Sequence, residues 1–384
     1  HGFEHAGACA EWTNGRAGMT STWIETSAEL EALLSAHRGY EQVAVDTEFR
    51  RRDTFYPQVA LLQLCWGGAA YLIDPLQLDK LDALREFLTD PAQVKCLHSA
   101  SEDLEVFEHW LQVLPSPLFD TQRAAALLGL GGGLGYRAIV AQFFEVDLPK
   151  EETQSDWLQR PLRDSQAEYA AQDVSYLYPI GVQLRERAEA MGRKGWILEE
   201  GARMTPGGKP PLSKFKTAYR LPPKQQAALA AVVNWRETEA RKLDRPRSWI
   251  LNDKLLMALA QAMPASVNDL HRIEGIPAGL VRRAGETLLA QIALAEAAPD
   301  AARHKDIVVP LSRDDKDVLS RLSEQLKILA EALQVPPEVL MPKSELERLI
   351  RQRSEPALES PAAWSGWREA TVIEPLKQLL LKEA

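Results

Sequence analysis

The stretch VAVDTEF, residues 43–49, decides the fold, because it sets an aspartate and a glutamate inside an otherwise apolar, strand-like run. Residues two apart in a strand face the same way, so Asp46 and Glu48 project from one side of it. Burial costs each carboxylate several kcal/mol of hydration, and two neighbouring carboxylates repel unless a cation neutralises them. The alternative is a strand end at which both carboxylates reach water.

Around this strand the sequence alternates strand and helix patterns. Further strand-like runs occupy residues 60–66, 69–75 and 94–99. The nearest two predict an antiparallel meander with VAVDTEF. Helical patterns occupy residues 79–88, 101–111, 121–128, 136–145 and 165–190. Strands first and helices later predict an α/β or α+β class, with a mixed sheet covered by helices.

A second acidic site follows the strand at residues 94–99. In HSASEDLEVF (98–107), Ser99 and Glu102 have the S-x-x-E spacing of a capping box, which predicts that a helix starts here. Asp103 then lies in the first turn, at a strand-to-helix junction of the kind where α/β proteins present functional side chains. The alternative is that Asp103 only stabilises the helix dipole.

A third site lies in SQAEYAAQDVSYLYPI (165–180). Ser165 and Glu168 repeat the capping-box spacing and predict the start of a long helix. Tyr169 and Asp173 are four residues apart and therefore share one helix face. The alternative is an exposed pair on an ordinary amphipathic helix.

The three sites together suggest one anionic cage, formed by four carboxylates and a phenol: Asp46, Glu48, Asp103, Asp173 and Tyr169. Oxygen-only ligands suit Mg²⁺ or Mn²⁺ and not zinc. Two such ions, roughly 3.5–4 Å apart, form a common device for in-line attack on a phosphodiester. The sequence thus yields the hypothesis that two divalent cations, Mg²⁺ or Mn²⁺, offset the charge of Asp46 and Glu48.

Composition is that of a globular protein with two or three domains. Of 384 residues, 45% are hydrophobic and 26% charged. No apolar run approaches the roughly 18 residues of a membrane helix, so no membrane association is expected. Cys9, Cys65 and Cys96 form neither a C-x-x-C pair nor a zinc set, which is typical of a reducing, cytoplasmic location. We expect residues 1–19 to be a flexible extension without function.

The second half of the chain is helical in pattern and contains an internal repeat. MTPGGKPPLSKFK (204–216) is rich in Pro, Gly and Lys and predicts a linker. Beyond it, residues 240–260 align without gaps on residues 330–350, with Pro246 matching Pro336 and Leu256 matching Leu346. Two small helical domains of related fold are therefore expected.

Charge differs between these two copies. The chain carries a net charge of −9, but residues 203–247 hold eleven Lys or Arg against three acids. This local excess of +8 favours contact with a phosphate backbone, whereas an ordinary solvated helix face is the alternative. The second copy has Gln334, Val335 and Pro337 where the first has Asp244, Arg245 and Arg247. We expect it to pack, or to shape a substrate channel, more than to bind phosphate.

The motifs VDTEF, HSASEDLEVF and YAAQDVSYL resemble the three exonuclease motifs of the DEDD superfamily, in its tyrosine-bearing branch. YPQVALLQL, LIDPL, LFDTQ and SDWLQRPL resemble the ribonuclease D family, and residues 245–276 resemble an HRDC domain, a helical nucleic-acid-binding module. Three motifs in order, followed by such a module, are far more specific than any one motif.

This resemblance implies an RNase H-like mixed sheet and hydrolytic 3′→5′ exonuclease activity, with structured RNA as substrate, chiefly the 3′ trailers of tRNA precursors. No obligate protein partner is expected. By motif, Asp46, Glu48, Asp103 and Asp173 are implied to be metal ligands, and Tyr169 a catalytic residue. The expected organisation is an exonuclease domain over residues 20–203, a linker over 204–216, an HRDC domain over 217–296 and a second HRDC-like domain over 297–384.

Candidate substrate-binding residues come from loops and the basic segment. Phe55 and Tyr56 could stack a terminal base, and Trp157 could stack or pack. His98 could touch substrate or metal, or be a structural histidine. Lys and Arg side chains around KLDRPRSWILNDK could grip phosphate. The complete candidate set is Phe55, Tyr56, Gln58, His98, Trp157, Lys242, Arg245, Arg247 and Lys254.

Two other interpretations concern the motifs as a whole. GLGGGLGYRAIV (129–140) lacks the G-K-[ST] ending of a phosphate loop and is better explained as a flexible turn before a helix. A DNA exonuclease would carry the same carboxylates, and matched RNA and DNA substrates would distinguish it. A catalytically inactive RNA-binding protein is disfavoured by the complete acidic set.

Overall fold

The computed structural model describes residues 21–149, 152, 155–297, 304, 306–355 and 358–382, so the predicted N-terminal extension lies outside the described residues. The chain divides into two compact units. The sheet unit comprises the described parts of residues 1–50, 58–207 and 311–384, and the inserted unit those of 51–57 and 208–310. A search of the described helices finds none with the length and apolar character needed to cross a bilayer.

Six strands form one mixed sheet in the order β1-β4-β3-β2-β5-β6. The strands are β1 (Ser21–Ile24), β2 (Gln42–Arg50), β3 (Gln58–Cys65), β4 (Ala70–Ile73), β5 (Val94–Leu97) and β6 (Leu118–Asp120). The pairs β2–β3 and β3–β4 are antiparallel, which confirms the predicted meander, while β1, β5 and β6 pair in parallel. The short strands β1 and β6 were not predicted.

Strand β2 lies near the centre of this sheet and is apolar at its start because helices cover both faces there. Val43, Ala44 and Val45 are fully buried. A strand with both faces covered has a continuous apolar run rather than alternation. The alternation begins only at Asp46, where the strand reaches the pocket described below.

Helices surround the sheet, and most were predicted within three residues of their bounds. Those of the first segment are α1 (Ser27–Ala36), α2 (Asp82–Thr89), α3 (Ser101–Leu111), α4 (Thr121–Leu127), α5 (Tyr136–Phe144), α6 (Asp164–Ala190) and α7 (Lys194–Arg203). Helices α1 and α7 were not predicted. The predicted mixed sheet with covering helices is confirmed.

Both capping-box predictions were wrong, although the helices exist. Helix α3 begins at Ser101, and Ser99 adopts a left-handed conformation with φ 56°. The N–H of Ala100 donates instead to Asp120 Oδ2 at 2.8 Å. Helix α6 begins before Ser165, whose hydroxyl donates to Glu152 at 2.7 Å. The S-x-x-E pattern therefore located each helix but not its cap, because tertiary acceptors engage the capping groups.

In its described residues, the regular secondary structure of the inserted unit is helical throughout. After two short 3₁₀ turns at Pro211–Lys214 and Ala218–Arg220, it contains α8 (Pro223–Leu243), α9 (Arg247–Ile250), α10 (Asp253–Ala262), α11 (Val267–His271) and α12 (Ala278–Glu296). Its core includes Leu229, Val232, Leu256 and Leu288. Residues 51–57, which directly follow β2, belong to this unit.

The last segment repeats the first three of these helices. It contains α13 (Arg313–Leu333), α14 (Pro337–Leu340), α15 (Lys343–Arg351) and, after a 3₁₀ turn and a π-helical turn, α16 (Glu374–Lys382). The bounds of α13 and α14 equal those of α8 and α9 displaced by 90 residues. Each long helix ends in a left-handed residue, Asp244 in the first copy and Gln334 in the second. The predicted internal repeat is confirmed.

Residues 311–382 share a hydrophobic core with the sheet unit. One buried cluster contains Ile139 and Val140 of α5 together with Leu322 and Leu326 of α13. Trp196 of α7 stacks on Trp367 with ring centroids 4.5 Å apart. The C-terminal helices are thus part of the sheet unit's core.

Candidate active site

A pocket of about 290 Å³ gathers the five predicted catalytic side chains. They come from β2, α3 and α6 and are Asp46, Glu48, Asp103, Tyr169 and Asp173. The predicted convergence of distant motifs on one place is therefore observed. His98 and Tyr136 also line this pocket.

Strand β2 presents Asp46 and Glu48 on one face, as strand alternation requires. Asp46 lies opposite Gln63 of β3, whose side-chain amide donates to Asp46 Oδ2 at 3.4 Å. The β2–β3 pairing slips between Glu48 and Phe49. Such an irregularity bends the strand and re-aims side chains next to a site.

Helix α6 brings Asp173 against this pair. Single carboxylate oxygens of Asp46, Glu48 and Asp173 all lie within 4.8 Å of one another. Ala170 and Ala171 lie on the face of α6 that packs on the sheet, and both are buried in a cluster with apolar residues of β2 and β3. Two small side chains there let the helix approach the sheet closely enough for Asp173 to reach the strand-borne acids.

Asp103 enters from the first turn of α3 and is buried, 8% exposed. Its Oδ1 accepts a hydrogen bond from Thr47 Oγ1 at 2.5 Å. It lines the same pocket but is not part of the close trio formed by Asp46, Glu48 and Asp173. The Thr47 hydroxyl therefore orients Asp103 beside the trio.

The electrostatics of the pocket are strongly unfavourable for the protein alone. Burial, reinforced by the neighbouring carboxylates, raises the pKa of Asp46 and of Glu48 well above the ordinary range. Burial raises the pKa of Asp103 to about 7, and burial with repulsion from Asp103 raises the pKa of Asp173 to about 8. Four carboxyl groups in one place ionise together only when positive charge is supplied.

The donor set fits hard divalent cations. Among the described residues that line the pocket there is no lysine or arginine. The close trio offers carboxylate oxygens and no sulfur or imidazole ligand, which suits Mg²⁺ or Mn²⁺. A cation bound by the trio would therefore neutralise the carboxylates of Asp46 and Glu48, whose charge no lysine or arginine of the pocket lining offsets.

Tyr169 lies one helical turn before Asp173 on the same face of α6. Burial, with Asp173 next in importance, raises the pKa of its phenol above the ordinary value. Trp157 is 2% exposed and lies against it, with ring centroids 6.0 Å apart. Trp157 thus sits in the core beside Tyr169, which corresponds to the packing interpretation of the two that the sequence left open.

Tyr136 is a site residue that sequence reasoning missed. It is the first residue of α5, and its hydroxyl donates to the backbone carbonyls of Asp173 and of Gln172, the latter at 3.2 Å. It therefore ties the end of the glycine-rich stretch to the helix that carries Asp173. The only signal in the sequence was its position directly after GLGGGLG, which predicts a turn and does not indicate a contact.

His98 has protein partners at both ring nitrogens. Nδ1 lies 2.9 Å from Thr121 Oγ1 and Nε2 lies 3.0 Å from the carbonyl oxygen of Leu134. Burial lowers the pKa of the imidazole. The neutral ring that donates to Leu134 is thus held between β5 and the glycine-rich stretch, at the edge of the pocket.

The other candidate substrate residues are not among those that line this pocket. In the inserted unit, the backbone N–H groups of Phe55 and Tyr56 donate to Asp244 Oδ1 at 2.9 and 3.0 Å. The guanidinium carbons of Arg241 and Arg247 lie 4.9 and 4.7 Å from the centroid of the Phe55 ring. Phe55 is therefore half-buried among cations of the same unit.

The remaining candidates are on the surface. Gln58 is exposed at the start of β3, and Lys242 and Lys254 are exposed in the inserted unit. Lys242 forms only a 3.8 Å ion pair with Glu239. Arg245 lies over the Trp249 ring, with its guanidinium carbon 5.7 Å from the centroid, and donates to the carbonyl of Asp53 at 3.3 Å.

Comparison with known proteins places this geometry in a family context. A family model described as 3′-5′ exonuclease matches residues 21–189, and the HRDC domain model matches residues 225–292. The chain is 37% identical to ribonuclease D of Pseudomonas paraeruginosa, over 93% of this chain and 97% of the relative. It is 39% identical to ribonuclease D of Xanthomonas oryzae pv. oryzae, over 93% and 98%.

A solved structure is similar over almost the whole chain. It is Escherichia coli RNase D, described as an exoribonuclease involved in structured RNA processing. The TM-score is 0.84 at 32% identity, and the match covers 95% of this chain and 99% of the other.

Proposed function

The chain belongs to the ribonuclease D family and is a 3′→5′ exoribonuclease, and we propose that it trims structured RNA with two divalent cations, Mg²⁺ or Mn²⁺. The substrates proposed are RNA 3′ ends, chiefly the 3′ trailers of tRNA precursors, and the products are 5′-mononucleotides. One observation carries the metal proposal: the close trio of carboxylates with no lysine or arginine among the described residues of the pocket.

Each pocket carboxylate has a proposed position in the metal site. Asp46 and Asp173 would hold one cation, while Asp46 with Glu48 and Asp103 would hold the other. Bound cations of this kind activate a water for in-line attack and stabilise the departing 3′ oxygen. Thr47 keeps Asp103 aimed at the pocket through its hydrogen bond.

Tyr169 is proposed to orient the attacking water. A free phenol titrates at about 10, and burial raises the pKa of this one further. It therefore keeps its proton near neutrality and acts as a hydrogen-bonding group rather than as a base. Tyr136 holds the backbone at Asp173, so it contributes to the position of a ligand without touching the reacting atoms.

The proposal is tested first with Asp46→Asn. We expect mononucleotide release from a 3′-labelled RNA to be lost while RNA binding persists, because the variant removes a charge shared by both cations. Excess chelator should have the same effect on the wild-type chain, and added Mg²⁺ or Mn²⁺ should reverse it. Robust trimming by Asp46→Asn would refute the metal assignment.

A second variant, Tyr169→Phe, separates the phenol from the metal site. We expect slower turnover with unchanged Mn²⁺ binding, since only the hydroxyl is removed. Tyr178→Phe on the same helix is the matched control, because Tyr178 is not among the residues that line the pocket. Loss of Mn²⁺ affinity in Tyr169→Phe, measured by titration calorimetry, would count against the assigned role.

The preference for RNA over DNA and a cytoplasmic location also belong to this proposal. Matched RNA and DNA oligonucleotides of one sequence test the choice of RNA, since only RNA carries the 2′-OH. A cytoplasmic location is supported by Cys65 and Cys96, which are both buried free thiols.

A further inference from the structure

Trp249 is exposed to a degree unusual for its residue type. Its side chain is 61% exposed, and it is the one exposed tryptophan among the nine that the structure describes. Tryptophan is ordinarily mostly buried, because its large ring gains most from leaving water. The chain thus maintains a large aromatic surface in water on the inserted unit.

The backbone that supports the ring is anchored in the core of the inserted unit. Trp249 belongs to the short helix α9, and the next two residues, Ile250 and Leu251, are buried in the core of the inserted unit. The Arg245 guanidinium lies over the ring at 5.7 Å, within the range of a cation–π contact. One support therefore presents an aromatic face together with a fixed positive charge.

A cationic pocket lies beside this support. Arg247 and Ser248, which directly precede Trp249, line a pocket of about 420 Å³. The acid in its lining is Asp253, which pairs with Arg236 at 2.6 Å, and Arg247 is paired with Glu237. The basic side chains of the lining outnumber this acid and are Arg51, Arg52, Lys214, Arg236 and Arg247.

The second helical copy shows that the fold does not require this ring. The position equivalent to Trp249 is Val339, which is partly buried and packs against the core of the sheet unit. The same backbone is therefore built with a small, covered side chain in one copy and a large, exposed one in the other.

We propose that Trp249 and the adjoining basic pocket bind one unpaired nucleotide of a single-stranded RNA. The base would stack on the indole ring, and its phosphate would enter the pocket. Stacking on an aromatic side chain is insensitive to sequence, because every base has a π face. The inference rests on the proposed function in taking RNA as the ligand, and it adds a binding subsite outside the carboxylate pocket.

The test uses the full chain carrying Asp46→Asn, so that RNA is not degraded during binding. A short single-stranded RNA of mixed sequence and an abasic ribose-phosphate oligomer of equal length are titrated by fluorescence anisotropy. Trp249→Ala should weaken RNA binding about tenfold, the size expected for one lost base stack. Binding of the abasic oligomer, which retains the phosphates, should change less than twofold, and Trp249→Phe should recover most of the loss.

Leu294→Ala is the matched control, since Leu294 is 69% exposed on α12 of the same unit. Equal RNA affinity for Trp249→Ala and Leu294→Ala would overturn the proposal. So would equal loss for RNA and the abasic oligomer, or a Trp249-dependent self-association in sedimentation. Mononucleotide release is measured separately on chains with Asp46 intact, so failure of this subsite and failure of the nuclease proposal are distinguishable.

Discussion

The two helical copies share a backbone corner but use it to hold different loops in different ways. In the first copy, the left-handed Asp244 accepts hydrogen bonds through its carboxylate from the N–H groups of Phe55 and Tyr56. In the second copy, the left-handed Gln334 contacts the glycine-rich stretch through its backbone. A Cβ built on Gly129 would lie 2.7 Å from the Gln334 carbonyl oxygen.

The two corners therefore depend on different residues. The first needs an acidic side chain at the corner itself. The second needs a glycine on the loop that it contacts, because Gly129 has φ +75° and has no room for a side chain. The stretch GLGGGLG was expected to be a flexible turn before a helix, and it does precede α5, but at Gly129 it is a packed contact with the second copy.

The largest loss of stability is expected from Gly129→Ala, which disrupts the contact between Gly129 and Gln334 in the second copy. The left-handed conformation costs an alanine about 1–2 kcal/mol, and the forced displacement adds about 1–3 kcal/mol. We therefore expect a loss of about 2–5 kcal/mol in the free energy of unfolding, measured by urea denaturation.

Gly133→Ala is the matched control for this prediction. Gly133 also has a positive φ, +65°, but a Cβ there would meet nothing within 4 Å. It should lose only the conformational part, about 1–2 kcal/mol. Equal losses in the two variants would show that the contact with Gln334 contributes no stability.

A smaller effect is expected from Asp244→Ala in the first corner. It leaves the N–H groups of Phe55 and Tyr56 without their acceptor, which should cost about 1–3 kcal/mol. Asp244→Asn keeps an acceptor oxygen and tolerates the left-handed conformation, so it should retain more than half of that stability. Gln334→Ala should change stability by less than about 0.5 kcal/mol, because that corner acts through its backbone. A larger loss in Gln334→Ala than in Asp244→Ala would invert the comparison.

The smallest effect concerns charge and is read in RNA binding rather than in stability. Lys242→Ala with Lys254→Ala should lower the salt dependence of RNA affinity, by a slope of about 0.7 for each lost phosphate contact. The matched pair in the second copy is Lys327→Ala with Lys343→Ala, which removes the same charge from exposed positions. If both pairs lower the slope alike, the basic edge of the first copy has no special role.

Sequence predicted the carboxylate pocket well because its geometry follows from local periodicity. Strand alternation places Asp46 beside Glu48, and a helical turn places Tyr169 beside Asp173. That these elements would meet was a hypothesis drawn from the shared acidic chemistry of the three sites and supported by the family resemblance, and periodicity alone does not imply it. The order of the motifs along the chain does not give the distances between their side chains in the folded protein.

What sequence missed depends on contacts between distant segments. Thr47 and Tyr136 orient pocket elements through long-range hydrogen bonds that no local pattern encodes. The two capping boxes failed for the same reason, since Ser165 bonds to Glu152 and not to its own helix. Phe55 was proposed as a stacking residue from its position after VAVDTEF, and the structure adds that its ring contacts two arginines of the inserted unit.

The discontinuity of the sheet unit sets the order in which the protein can assemble during translation. Residues 208–310 emerge from the ribosome before residues 311–384, which complete the core around Ile139 and Val140. At roughly 5–20 residues per second, the roughly 140 residues between Asp173 and helix α13 take about 7–28 seconds to make, and we expect the apolar face to stay uncovered for that time. The core of the inserted unit is built from residues between Phe55 and Ile307, so we expect this unit to fold before the core of the sheet unit is complete.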